Sequence, residues 1–535
     1  MPAYYLEALT ITLGLVLLLA EAFVPARSKA WVGVAAATGL AVIIGLTAIA
    51  IGPDQVTWIE VFRGGVTSSI PRSGATWPMW SLWNFYQFDA LARFYKVFAL
   101  VCTLLVVLMS VDYRKILTRY TDHPGSENGT GEYYALPLFA CAGMMFLASA
   151  KDLVGAFVAL ELVTVTFYIL VAYMRRNVGS LEAGVKYLIL GALSTGFLVY
   201  GIAWVYGSTG TMSLEVIANA FTAVPNGPCT GEEYRHFMQT NPFALHPSAL
   251  LFGIALVMVG LGFKIGAVPM QVWIPDVYQG APTPTTAFLS VGSKAAGFIL
   301  LIRFLDALHG KNWLASPVQG PVLNLLIILA VATLLFGNLA AIPQTNFKRL
   351  LGYSSIAHAG FLLLALAAGK SESAESLGSF KVVSFYLATY LIMTLGVFFV
   401  LAQVRIQRDG ETIADFNGLG KTNPLLALAL TVLLAALAGV PLTAGFIGKF
   451  MVFSLAVDAR LWVGVGVAFI AAAAGFYYYF NVVRAMWWAA PGNLAPVELP
   501  VISKVCIAIL TIATLVLGIY PQPILALLKT GPWLL

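Results

Sequence analysis

Charged residues are scarce in this sequence. Only 10% of its 535 residues are Asp, Glu, Lys or Arg, whereas 60% are hydrophobic. Water-soluble domains usually carry about 25% charged residues, so an ordinary soluble fold is excluded. Apolar stretches of about 20 residues recur along the chain, and each is long enough to cross a bilayer as a helix. They are too uniformly apolar for barrel strands, which alternate. We predict an all-α polytopic membrane protein.

Cysteine and histidine are also rare. The four cysteines show no CxxC spacing, which argues against an iron–sulfur cluster or a zinc site. The five histidines are scattered and only His358 lies deep in a predicted span, whereas a membrane haem held by two histidines needs a facing pair. We therefore expect no cofactor and no metal ion to be bound by this chain.

The net charge of +6 fits loops that face an anionic membrane leaflet. We therefore expect lipid, and not nucleic acid, to contact this chain. The start MPAYYLEALT lacks the basic region of a signal peptide, so the first span is expected to remain as an anchor.

The apolar runs predict about 14 transmembrane helices. They fall near 5–24, 31–51, 89–111, 133–150, 152–173, 183–206, 247–268, 285–305, 321–342, 348–368, 381–403, 424–455, 460–485 and 503–527. One set of alternate loops carries 14 Lys or Arg residues and the other about 10, and the richer side is expected to face the cytoplasm. This bias predicts that both termini lie outside the cytoplasm.

Two segments resemble each other. KDLVGAFVALE ends at Glu161 in the fifth span, and KRLLGYSSIAH ends at His358 in the tenth. Two spans after each comes a helix broken by proline, at Pro269 in helix 7 and at Pro441 in helix 12. This pattern predicts two inverted five-helix repeats, an architecture found in transporters. The predicted units are helices 1–3 with their loops (1–132), a first repeat (133–305), a second repeat (321–485) and a C-terminal helix 14 (486–535).

Several ionisable residues lie inside these spans. A charge at the bilayer centre costs about 3 kcal/mol on insertion scales and is a functional candidate by default. The candidates are Glu161, Lys186, Lys264, Lys294 and Lys449. The alternative to a functional role is that these residues form structural ion pairs or extend their charged groups to the membrane surface. The case for this alternative is strongest for Lys186, which has Glu182 four residues before it on the same helix face.

Two further groups of polar residues have interpretations other than a proton pathway alone. For His358, which is close to Ser354 on the same helix face, packing and proton relay remain equally open. Asp89, Arg93 and Lys96 open the third span at helical spacing, and we interpret them as a solvated helix end.

The prolines suggest what the buried lysines do. Proline inside a helix frees a carbonyl, which is tolerated in a membrane only where protein or water receives it. A break beside a lysine therefore predicts a hydrated pocket. There, burial disfavours the charged amine while a carboxylate favours it, so such a group can take up and release a proton when its neighbours change charge. This is the chemistry of a proton pathway.

The run from Phe263 to Lys294, FKIGAVPMQVWIPDVYQGAPTPTTAFLSVGSK, resembles the antiporter-like subunits of respiratory complex I. The resemblance covers nearly the whole chain. It implies an essential glutamate in helix 5, which matches Glu161, and lysines in helices 6, 7 and 8, which match Lys186, Lys264 and Lys294. It also implies a lysine or glutamate in the broken helix 12, here Lys449, and often a histidine in helix 10, here His358.

Within this family the chain is most similar to the N-type members. They read PDVYQGAP where M-type chains tend to read PDAHTEAP, and M-type chains have glutamate where this chain has Lys449. L-type chains continue into a long lateral helix, whereas this sequence stops at Leu535.

The resemblance implies a proton-translocating subunit of a bacterial inner-membrane NADH:quinone oxidoreductase. NADH, FMN, iron–sulfur clusters and quinone are expected in partner subunits, with no redox chemistry in this chain, and M-, K- and J-type subunits are expected beside it. The alternatives are a subunit of an Mrp-type Na⁺/H⁺ antiporter or of a membrane-bound hydrogenase and, more weakly, a self-contained solute transporter.

Two contacts are predicted within the pathway. Glu161 and Lys264 are expected to form a charge pair whose separation changes during turnover. Lys294 and Lys449 are expected to lie on one polar axis at the membrane midplane, with His358 and Ser354 between them.

Overall fold

The structure is a computed structural model that describes residues 1–23, 29–50, 85–121, 124, 127, 129–222, 247–308, 318–369, 378–490 and 496–529. Its long helices are α1 (Tyr5–Phe23), α2 (Ala30–Thr47), α3 (Ala90–Leu117), α4 (Gly131–Ala148), α5 (Leu153–Val171), α6 (Val178–Thr209), α7a (Pro247–Ile265), α7b (Ile274–Gly280), α8 (Thr283–Leu308), α9 (Gln319–Ala341), α10 (Phe347–Ala367), α11 (Ser379–Arg408), α12a (Pro424–Ala438), α12b (Ala444–Asp458), α13 (Trp462–Trp488) and α14 (Val501–Ile519). The described residues also form two shorter helices, Leu214–Thr222 and Gln522–Lys529.

The predicted helical membrane fold is confirmed. Within these described ranges, 13 helices are long and apolar enough to span a bilayer, with α7a and α7b counted as one broken span. The two halves of α12 are individually too short but follow each other across a break, and they form the remaining predicted span. The limits of the two predicted repeats stay a prediction.

Three helices lie innermost in the bundle. Helix α8 is wholly buried, and α10 and α11 are nearly so, whereas α6 and α14 expose most of their residues. A helix that is apolar all round and exposed at the rim of a bundle suits lipid contact. The burial pattern therefore places the lysine of α8 and the histidine of α10 in the protein interior and away from lipid.

Both predicted helix breaks are present. Helix α7a ends just before Gly266, which has φ of +79°, and α12a ends just before Gly439, which has φ of +94°. Glycine adopts these left-handed conformations without the steric cost of a side chain. The Trp273 indole donates a hydrogen bond of 2.9 Å to the Phe263 carbonyl beside the first break. Protein groups thus receive carbonyls left near the broken turns, as a membrane interior requires.

Helix α8 contains an irregularity that the sequence did not predict. Leu289–Ser293 form a π-helical turn directly before Lys294. Such turns widen the helix by one residue and are frequent at functional sites. The turn lies in the most buried helix of the bundle and ends at its only lysine.

The predicted solvated end of α3 is wrong. Lys96 is 1% exposed and Arg93 is 9% exposed. The Lys96 ammonium pairs with Glu7 of α1 at 2.5 Å, and the Arg303 guanidinium of α8 pairs with Asp89. The charges are buried because α1 and α8 bring partners from distant parts of the sequence.

The break in α12 depends on a glycine of α14. A Cβ atom at Gly518 would lie 2.3 Å from the Leu442 carbonyl oxygen and 2.4 Å from the Thr443 Cα. These are backbone atoms, so they cannot yield by a side-chain rotation. Leu442 itself has φ of +67°, which is uncommon for a residue with a side chain.

Gly518→Ala should therefore destabilise the protein by about 1–3 kcal/mol, the usual cost of overpacking. The measurement is the thermal unfolding temperature of the purified membrane complex. Gly466→Ala in α13 is the matched control, since a Cβ there meets nothing within 4 Å. Equal unfolding temperatures for the two variants would show that α14 does not support the break.

Candidate functional site

Glu161 and Lys264 lie near each other but contact hydroxyl groups. The Thr195 hydroxyl donates a hydrogen bond of 2.9 Å to the Glu161 carboxylate. The Lys264 ammonium, which is 3% exposed, donates one of 2.7 Å to Thr164, one turn along α5 from Glu161. The two charges form no ion pair in this conformation. Their predicted change of separation during turnover stays a prediction.

Lys294 is buried beside α10. Its ammonium donates hydrogen bonds to both the carbonyl and the hydroxyl oxygen of Ser355. The Tyr278 hydroxyl lies 3.1 Å from the same Ser355 hydroxyl. The ring of Tyr390 faces the ammonium at 5.3 Å. Every contact of this amine is to a neutral group, so its charge has no carboxylate partner among the residues that the structure describes.

His358 joins two tyrosines. Its Nδ1 lies 2.7 Å from the Tyr386 hydroxyl and its Nε2 lies 3.4 Å from the Tyr479 hydroxyl. Tyr479 also makes a hydrogen bond with Ser354. The predicted neighbours Ser354 and His358 are thus connected through Tyr479. An imidazole with a hydroxyl on each nitrogen can exchange which nitrogen carries the proton.

Lys449 uses the break in its own span. Its ammonium donates hydrogen bonds of 2.9 Å to the Leu437 carbonyl and 2.7 Å to the Ala438 carbonyl, the last two carbonyls of α12a. The Phe361 ring lies 5.1 Å away. Helix C-terminal carbonyls carry partial negative charge and favour a cation. The break at Pro441 thus supplies the acceptors that hold Lys449.

The Tyr390 ring lies 4.9 Å from the His358 ring and 5.3 Å from the Lys294 ammonium. Phe361, whose ring faces Lys449, lies one turn from His358 on α10. The structure therefore brings three of the predicted residues into one buried group, which we call the central cluster: Lys294, His358 and Lys449, with Ser354, Ser355, Tyr386, Tyr390 and Tyr479.

Lys186 has a different environment. Its side chain is 41% exposed and makes ion pairs of 2.7 Å with Glu182 and 2.8 Å with Asp276. Asp276 is shared with Arg349 at 2.8 Å. The ion pair with Glu182, which the sequence offered as the alternative to a pathway role, is present. Lys186 is a half-exposed member of an ion-pair network, and it does not touch the central cluster.

This network lines an open cavity of about 350 Å³. Its other charged walls are Lys348, Arg405 and Glu411. Lys348 is 3% exposed and pairs with Glu411 at 3.0 Å. Gly280 and Ala281, which directly precede α8, also line the cavity. Water thus has access to charged groups at the beginning of the helix that carries Lys294.

The sequence interpretation missed the tyrosines of the central cluster. Tyr386 and Tyr390 are one helical turn apart on α11, and Tyr479 lies on α13. A turn-spaced tyrosine pair inside an apolar span is a usable signal, because a buried phenol normally needs a hydrogen-bond partner. Which residue each hydroxyl meets depends on helix packing. In the described ranges no group of three or more His, Cys, Asp or Glu residues could hold a metal ion.

Glu161→Gln should lower proton translocation severely, by about tenfold or more if Glu161 transfers protons. Glutamine keeps the size of the side chain and can still accept the Thr195 hydrogen bond, so assembly should be retained. The measurement is the acidification of vesicles that contain the complex, set against the amount of assembled complex. Normal acidification would remove Glu161 from the pathway.

Comparison with known proteins identifies the class. A family model described as NADH:quinone oxidoreductase/Mrp antiporter, transmembrane, matches residues 150–475. The chain belongs to this family of antiporter-like membrane subunits.

The relatives narrow the class further. NADH-quinone oxidoreductase subunit N 1 of Opitutus terrae is 44% identical over 76% of this chain and 77% of its own length. NADH-quinone oxidoreductase subunit N of Desulforamulus reducens is 36% identical over 97% of this chain and 95% of its own length. A chain in the structure of respiratory complex I from Thermus thermophilus with bound aureothin superposes with a TM-score of 0.71 at 28% identity, over 98% of this chain and 100% of that chain.

Proposed function

We propose that this chain is the N-type subunit of a proton-translocating NADH:quinone oxidoreductase and that it moves protons along its buried lysines. The central cluster carries the proposal. Among the residues that the structure describes, the ammonium groups of Lys294 and Lys449 have no carboxylate partner, and both are buried with His358 in a chain whose relatives are N subunits. A charge kept in such a place at a cost of several kcal/mol is a functional group by default.

The geometry suggests how protons pass. Lys294 and Lys449 are each held by neutral oxygen atoms, which stabilise the ammonium but do not fix it as a carboxylate would. Since like charges disfavour each other, a proton on Lys294 makes protonation of His358 and Lys449 less favourable. A proton that arrives at Lys294 therefore drives another away from Lys449, through the hydroxyls of Ser354 and Tyr479 and through intervening water.

Glu161 and Lys264 are proposed to control, from the first repeat, which lysines of the central cluster carry a proton. Movement of the Glu161 carboxylate toward Lys264 would stabilise the ammonium form of that lysine, and movement away would release its proton. Thr164 and Thr195 hold the two side chains in the separated arrangement. Lys186 and Glu182 are assigned to the cavity, where they admit protons from water.

The cavity is lined by Lys348, Arg349 and Arg405, which lie at the ends of α10 and α11 on the side of the bundle with more basic residues. We therefore assign the cavity face to the cytoplasm and both termini to the opposite side of a bacterial inner membrane. NADH oxidation and quinone reduction are assigned to partner chains that hold the FMN, iron–sulfur clusters and quinone. The adjacent membrane subunits are proposed to be of the M, K and J types.

Purification through an affinity tag on this chain tests the assignment. The expected result is a complex that contains flavin and iron–sulfur subunits and that acidifies vesicles when NADH and quinone are added, without a requirement for Na⁺. Copurification with small antiporter subunits alone, together with Na⁺-dependent proton exchange, would support the Mrp-type alternative and contradict the proposal.

A further inference from the structure

A second group of buried charges lies outside the pathway described so far. Glu7 of α1 is 0% exposed and Lys96 of α3 is 1% exposed, and they pair at 2.5 Å. The Lys96 ammonium also donates to the Tyr86 hydroxyl and lies 4.6 Å from its ring centroid. This ion pair is fully enclosed by protein, and the Lys96 ammonium has hydrogen-bond partners in Glu7 and Tyr86.

The neighbouring pair is built from α3 and α8. Arg303 is 1% exposed, and its two terminal nitrogens reach the two carboxylate oxygens of Asp89 at 2.5 and 2.8 Å. The same guanidinium donates a hydrogen bond of 2.6 Å to the Ala148 carbonyl at the end of α4. Asp89 also caps α3 by accepting from the Ala92 amide at 2.8 Å. One arginine thus ties together three helices.

The position of these pairs relative to the cavity is informative. The cavity borders the beginning of α8 at Ala281, and Thr283 contacts the cavity residue Glu411 at 3.3 Å. Arg303 follows Thr283 by 20 residues, or about 30 Å along a helix axis. Lys294 lies between them, about 13 Å from Arg303 along that axis. Both pairs therefore belong to the membrane face opposite the cavity.

We propose that Arg303, held in place by Asp89, forms a barrier that prevents protons on Lys294 from leaking to the face opposite the cavity. The inference rests on the proposed function, since it assumes that Lys294 carries protons. A guanidinium does not release its proton in proteins and remains a fixed positive charge. Fixed cations of this kind exclude protons from membrane pores.

The pairing explains how such a cation is tolerated. An unpaired buried charge is very costly, whereas a bidentate carboxylate satisfies it and holds it in one place. Asp89 has both oxygens occupied by Arg303 and one also by an amide, so it offers little capacity to accept a passing proton. The Lys96–Glu7 pair buries a second ion pair on the adjacent part of α3.

The test is passive proton leak in vesicles that contain the complex, without NADH and under an imposed potassium diffusion potential. Arg303→Gln should raise the proton leak by about tenfold or more, because loss of the fixed charge lowers the barrier. Asp89→Asn retains the fixed cation and can still cap α3, so its vesicles should stay nearly as tight as the wild type. Arg303→Lys keeps a positive charge but can release its proton, so its vesicles should leak more than the wild type.

Glu21→Gln is the matched control. Glu21 forms a buried ion pair with Lys29 at the other end of α1, so this variant breaks a comparable pair away from α8 and should not leak. If Arg303→Gln does not assemble, the double variant Arg303→Gln/Asp89→Asn decides the question, because it removes the cation without leaving an unpaired buried carboxylate. Tight vesicles with an assembled Arg303→Gln or double-variant complex, or a leak equal to that of Glu21→Gln, would overturn the barrier. Because no electron donor is present, either result is independent of whether the chain pumps.

Discussion

Methionine in place of Lys294 should reduce NADH-driven proton translocation by about tenfold or more, the usual cost of removing a positioned proton-transfer group. Methionine has a similar size and is apolar, so it suits a site that is 3% exposed. The Ser355 hydroxyl loses its donor from Lys294 but keeps Tyr278 as a neighbour. The complex should therefore assemble, and the defect should appear in vesicle acidification per NADH oxidised.

Lys421→Met is the control for this variant. Lys421 lies exposed on the short helix Leu419–Thr422, away from the central cluster. The Lys421→Met variant removes one positive charge, as Lys294→Met does, and proton translocation should remain close to the wild-type rate. A Lys294→Met complex with full translocation would show that the ammonium of Lys294 does not carry protons.

Lys449 should distinguish a proton carrier from a fixed charge. Lys449→Ala removes the amine from the Leu437 and Ala438 carbonyls and should cut translocation by about tenfold or more. Lys449→Arg preserves a positive charge at those carbonyls. Because arginine cannot release its proton, this variant should be nearly as defective as alanine.

The readout is again vesicle acidification, normalised to assembled complex and to the rate of electron transfer. Full translocation in the arginine variant would mean that Lys449 serves only as a fixed charge that holds the break in α12. Failure of both variants to assemble would be visible as loss of the complex from the membrane and would be separated from a transport defect.

The features that the sequence predicted correctly are local ones. Apolar runs of spanning length predicted the helices, because the bilayer demands a fixed length of apolar chain. Pro269 and Pro441 predicted the breaks, because proline removes a backbone donor. The sequence also predicted that protein or water would receive the freed carbonyls, and the Lys449 ammonium does receive two of them.

The features that it missed depend on packing between distant segments. Lys96 and Glu7 are 89 residues apart, and Arg303 and Asp89 are 214 residues apart. Spacing along one helix therefore suggested a solvated end where the fold buries paired charges. The connection of Ser354 to His358 through Tyr479 likewise requires α13 to lie against α10. The π turn before Lys294 has no simple signature in its residues.

Lys294 and Lys449 are proposed to belong to one connected proton path. The double variant Lys294→Met/Lys449→Ala tests this connection, by the ratio of protons translocated to NADH oxidised in vesicles. Residues that act as one unit give non-additive losses, whereas independent sites give losses that multiply. If the two lysines share one path, the double variant should lose no more than the more defective single variant. A loss equal to the product of the two single losses would mean that the two lysines serve separate routes, and it would rule out the connected path.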